Sequence, residues 1–95
     1  MVLVYQNAIG INLAIYTLFD LTGYSTLSYV ITKPSGTKIT VVPSVTNLTT
    51  GELAYITVAG DFDEVGQYKG QVIVTYSDGD VIKGEIDDFT IYTPL

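Results

Sequence analysis

A chain of 95 residues with 47% hydrophobic side chains has the length for one domain around one core, and its mean hydropathy of +0.37 is high enough that a partner, or further copies of the chain, are expected to cover part of its apolar surface. A net charge of −6 with only four cationic side chains argues against nucleic acid, because phosphate binding needs clustered cations. The chain holds no Cys, His, Arg or Trp, so it offers no disulfide, thiolate nucleophile, imidazole base, guanidinium clamp or His/Cys zinc site, and neither an enzyme nor a cofactor is expected.

The sequence opens on Met1-Val2-Leu3-Val4-Tyr5. No cation precedes this apolar run, and Gln6, Asn7 and Asn12 interrupt it short of signal-peptide or span length, so neither a targeting segment nor a membrane partner is expected. Residues 1–6 read either as an edge strand or as an arm that docks on a neighbour, with Val2, Leu3, Val4 and Tyr5 as the partner-binding residues. Residues 11–18 alternate, with Ile11, Leu13 and Ile15 on one face, and form the first firm strand. After a loop over 20–25, Leu27, Tyr29 and Ile31 define the inward face of a second strand over 27–33. Pro34-Ser35-Gly36-Thr37 places Pro second and Gly fourth in a type I turn, so 38–42 returns as its hairpin partner.

Pro43 ends that strand, and 44–51 reads as a polar connection with Leu48 as a plug. In the next strand, over 52–58, both faces are apolar; Ala54, Ile56 and Val58 are taken as inward. Then comes Asp63-Glu64-Val65-Gly66-Gln67-Tyr68 at the mouth of an alternating run in which Tyr68, Gly70, Val72, Val74 and Tyr76 share a face. An acidic turn, a Gly for positive φ and a Tyr at the strand entrance form a tyrosine corner, with Gly66 and Tyr68 as its structural residues. Asp78-Gly79 is an αL-tolerant pair for a hairpin turn, 81–86 returns, and after Asp87-Asp88 the chain closes on 89–93. About seven short strands at turn spacings of 8 to 12 residues predict an all-β, immunoglobulin-like antiparallel sandwich in a single domain over 1–95.

Two residue groups carry whatever chemistry remains. The carboxylates Asp61, Asp63 and Glu64, Asp78 and Asp80, and Asp87 and Asp88 offer oxygens to a hard cation, but their spacing does not match an EF-hand, and acids are ordinary turn formers; they are read as solvated turns, with no metal site. Among eight Tyr, Tyr5, Tyr16, Tyr24 and Tyr92 fall at strand margins or off the assigned core face, where exposed rings could grip a protein or a sugar ring; Tyr is enriched in strands for packing alone, so most of them are read as packing residues, and Tyr68 as core. Asn47-Leu48-Thr49 matches the glycosylation acceptor pattern, here read as chance.

Residues 6–93 resemble the immunoglobulin-like domain at the N-terminus of phage upper-baseplate proteins, and related small domains of phage virions. The resemblance rests on Asp20-Leu21-Thr22-Gly23, Ile31-Thr32-Lys33-Pro34-Ser35-Gly36-Thr37, Gly51-Glu52-Leu53, Val65-Gly66-Gln67-Tyr68 and Tyr76-Ser77-Asp78-Gly79-Asp80. It implies a non-enzymatic virion component, made in the host cytoplasm, whose partners are major capsid, baseplate or tail proteins and other copies of itself. The coiled coil and receptor-side domains that follow the module in that family do not follow Leu95, so the chain reads as a free-standing product: a head decoration or accessory protein, with a baseplate or tail accessory as the alternative. A carbohydrate-binding module using exposed Tyr is the reading from another class.

Overall fold

The computed structural model describes residues 4–95. Eight strands are present among them: β1 (Val4–Tyr5), β2 (Asn12–Tyr16), β3 (Tyr24–Thr32), β4 (Lys38–Val41), β5 (Ser44–Asn47), β6 (Glu52–Ile56), β7 (Gly66–Tyr76) and β8 (Val81–Tyr92). They form a five-stranded sheet in the order β1-β8-β7-β3-β4 and a three-stranded sheet in the order β2-β6-β5. This is the immunoglobulin-like sandwich. At about 3.3 Å per residue, the 12 residues of β8 span most of the 48 Å long axis.

Both turns expected from sequence close as hairpins. Gly36 N donates to Lys33 O at 2.8 Å and Lys33 N to Thr37 O at 2.8 Å, which registers β4 on β3. In the β7–β8 turn, Gly79 N donates to Tyr76 O at 3.0 Å. Only Gly79 takes the left-handed backbone there (φ 97); Asp78 instead accepts from Asp80 N at 2.9 Å, so the pair divides the work rather than sharing a conformation.

The core lies between the sheets. Leu27, Tyr29 and Ile31 of β3 lie beside Tyr68, Val72 and Val74 of β7 on the inward face of one sheet and pack with Ile15 of the other, all under a tenth exposed. Tyr68 is fully buried, stacked on Phe89 (centroids 5.6 Å apart) and edge-on to Phe62 (5.5 Å). Gly70 lies directly beneath the Tyr29 ring, where a Cβ would collide with the phenol. The corner is built as expected: Tyr68 Oη donates to Glu64 O at 2.8 Å and accepts from Glu64 N at 3.0 Å. Gly66 enters β7 at φ 133, a backbone conformation that side-chain-bearing residues rarely adopt.

Three expectations are corrected. Residues 44–47 are a strand, β5, not a connection: the chain switches sheets at Pro43 and pairs Val45 with Leu53. Its polarity suits an edge strand, and Leu48 is 40% exposed rather than a plug. On β6 the inward face is Leu53, Tyr55 and Thr57, because Leu53 lies opposite Ile15 and Thr57 Oγ1 accepts from Ile11 N at 3.0 Å. Ile56 and Val58 therefore face solvent, 54% and 55% exposed. Asp87-Asp88 does not divide the C-terminal strand; β8 runs through both, paired to Gly70 and Lys69. Beyond these corrections, Leu21 and Phe62, both in loops and given no place by the alternation, are core residues at 0% and 1% exposure.

Candidate interaction surface

Of the acids nominated from sequence, Asp61, Asp63, Glu64, Asp78, Asp87 and Asp88 are engaged through their carboxylates within the domain. In the loop before β7, Asp61 Oδ2 accepts from Tyr55 Oη at 2.7 Å and from Val58 N at 2.9 Å. Burial, then the carboxylate beside it, pushes the Tyr55 phenol up to about 12. Asp63 receives the Lys33 ammonium at 2.7 Å, and the same ammonium donates to Gly60 O at 2.8 Å. That contact holds the Asp63 carboxyl below the usual range and raises the Lys33 ammonium above its own. Glu64 accepts from Ser35 N at 3.0 Å and Ser35 Oγ at 2.9 Å, which ties the loop to the β3–β4 turn. The local reason for this cluster is the corner itself, since the Tyr68–Glu64 pair turns 60–66 back over the sheet end.

Asp88 pairs with Lys69 at 3.2 Å, both half-exposed. Asp87 accepts from Tyr29 Oη at 3.2 Å, and burial together with that carboxylate drives the Tyr29 phenol well above its ordinary value. No group of three or more His, Cys, Asp or Glu side chains converges as a metal centre among the described residues. Asn47, in the acceptor pattern, takes hydrogen bonds from Thr49 Oγ1 and Thr50 N and serves as a turn former.

The partner-binding residues Val2 and Leu3 lie outside the described residues. Val4 and Tyr5 form an edge strand parallel to β8, with Val4 opposite Ile91 and Tyr5 opposite Tyr92. Gln6 N donates to Tyr92 O at 2.9 Å, and Gln6 Nε2 to Asp63 O at 2.9 Å. Val4 packs against the core, so these two residues are held on the sandwich and do not form a loose arm. The rings of Tyr5 and Tyr92 lie 6.2 Å apart, tilted by 56° and about two-fifths exposed. Tyr24 is comparably exposed, whereas Tyr76 donates to Asp20 O at 2.8 Å.

A larger apolar surface went unrecognised in the sequence. By alternation, Asn12, Ala14 and Tyr16 of β2 and Glu52, Ala54 and Ile56 of β6 point away from the core, with Val58 continuing the row; Tyr16 lies opposite Glu52 and Ile56 opposite Asn12. Tyr16 is 65% exposed. The signal that would have found it is the substantially apolar character of both faces over 53–58: with one face committed to the core, the other has to be surface.

These features define an immunoglobulin-like sandwich whose chemistry lies in strand edges and apolar faces. Compared with known proteins, the chain matches no family model and no curated sequence. Among solved structures it is similar to CopC from Methylosinus trichosporium OB3b, with a TM-score of 0.57 over 95% of this chain and 84% of that one, at 18% identity. The likeness concerns the fold alone.

Proposed function

We propose that the domain is a non-enzymatic structural component of a bacteriophage virion that docks in many copies on other particle proteins. The head surface is the first place to look, and the baseplate or tail the second. The observation that carries an interaction role is the outer face of β2 and β6, where Tyr16, Ile56 and Val58 are each more than half exposed. Tyr16 lies opposite Glu52 and Ile56 opposite Asn12, so the face mixes large exposed apolar side chains with polar ones, as contact surfaces do. The virion setting is drawn from the sequence resemblance across 6–93.

Labelled full chain mixed with purified heads, tails and a glycan array tests the reading. Saturable binding to one particle part, weakened in Tyr16→Ser/Ile56→Thr, supports it. Affinity for a glycan in the isolated domain, with no uptake by particles, replaces it with a carbohydrate-binding module.

A further inference from the structure

Two strand edges face one another across an open cleft. β2 is the terminal strand of its sheet and pairs only with β6. Thr57 N donates to Ile11 O at 3.0 Å and Thr17 N to Gly51 O at 2.9 Å, so peptide groups at alternate positions from 11 to 17 turn toward β6. Those of Asn12, Ala14 and Tyr16 therefore turn to the open edge. On the other side, described β1 covers β8 only at Ile91 and Tyr92, which leaves the edge over 81–90 without a strand partner among the described residues. Between the two edges is a cleft of about 620 Å³. Leu13, Ile15, Tyr29 and Phe89 supply apolar walls, and Asp87 and Asp88 sit at the rim.

Resting on the proposal that this is a docking module, we infer that the cleft accepts an extended, alternately apolar segment of a partner protein flanked by Lys or Arg, added as a strand between β2 and β8. Main-chain bonds to Asn12, Ala14 and Tyr16 supply affinity, and alternate apolar side chains of the segment fill the cleft. Charge complementarity selects the occupant. Asp87 and Asp88 are the charged groups lining the cleft; Asp88 is already paired with Lys69 at 3.2 Å, Asp87 has no cationic partner among the described residues, and the chain carries −6 overall. A carboxylate on an open edge repels indiscriminate strand pairing, so a partner that places a cation there is distinguished from one that does not.

The probe is a short peptide alternating Val and Thr between terminal Lys residues, titrated into the full chain and followed by amide NMR. Binding is expected with shifts confined to 12–16 and 86–90 and with new exchange protection at Asn12, Ala14 and Tyr16. A Glu-ended version is expected to bind about fivefold more weakly or worse at low salt. Ala14→Pro removes only an outward N–H, which edge strands tolerate, and is expected to cost about tenfold in affinity or more. Should that variant fail to fold, the wild-type amide map decides alone. Absence of binding, shifts mapping elsewhere, or indifference to the peptide's charge overturns the inference. Binding seen only after removal of residues 1–3 also overturns it, since the occupant would then be the chain's own terminus. If the peptide fails while the domain still binds particles, the docking role stands and the cleft is not its route.

Discussion

Replacing Tyr68 by Phe removes one oxygen from a fully buried ring and leaves both Glu64 backbone groups without their partner, the carbonyl that accepts at 2.8 Å and the amide that donates at 3.0 Å. The ring keeps its stacking on Phe89 and its edge contact with Phe62, so the loss is confined to the hydroxyl. Two hydrogen bonds at about 1 kcal/mol each give about 2 kcal/mol, more if Glu64 stays shielded from water. For a domain of this size that corresponds to roughly 8–15 °C in melting temperature. Paired urea titrations measure it directly, with the denaturant slope expected to be unchanged because the fold is kept. Coincident midpoints would show that the corner does not fasten the loop, and the account of 60–66 given above would fail with it.

Gly70→Ala drives a methyl into the Tyr29 phenol and is expected to destabilise by about 2 kcal/mol or more, visible as a lowered denaturation midpoint. Stability is expected to fall at both pH extremes. Asp63, held below its ordinary 3.8, contributes above that value and loses its contribution as pH drops through the folded-state pKa. Lys33, raised above 10.5, and Tyr55, raised to about 12, contribute below their ordinary values and lose it as pH rises through the folded ones. Tyr55→Phe should therefore flatten the alkaline limb of a stability–pH curve. Chelator is expected to leave the melting temperature unchanged, because Asp61, Asp63 and Glu64 are already bonded to Tyr55, Lys33 and Ser35. A site filled at a hundred times its dissociation constant would add about 2.7 kcal/mol and show plainly in the scan.

Strands with one committed face were legible in the sequence: Leu27, Tyr29 and Ile31 alternate in the chain and are buried at 7%, 3% and 0%. The corner was legible because an αL-requiring Gly and a strand-entry Tyr leave few alternatives. What escaped has a common cause. β5 carries Val45 as its one half-buried residue, so no period survives; it exists because β6 offers it an edge. The inward face of β6 was ambiguous because its outer face is apolar too, and only pairing with Ile15 decides between them. Asp87-Asp88 looked like a break because two adjacent acids interrupt the apolar alternation, and the strand persists through them because both pair across to β7, Asp87 with Gly70 and Asp88 with Lys69. Each miss concerns which neighbour a strand acquires, and neighbours are set by topology rather than by local pattern.

The same distinction separates the two halves of the acidic inventory. Asp61, Asp63 and Glu64 meet Tyr55, Lys33 and Ser35 in one loop, and their charges are used in holding the corner over the sheet end. Asp87 accepts from the Tyr29 phenol, a neutral donor, and no cation pairs with it among the described residues, whereas its neighbour Asp88 on the same strand is paired with Lys69 at 3.2 Å. A carboxylate that already holds a cation is satisfied inside the domain, whereas one bonded to a neutral donor keeps a charge-assisted partner in reserve. On the proposed docking route it is therefore Asp87, and not the whole edge, that would discriminate among arriving segments.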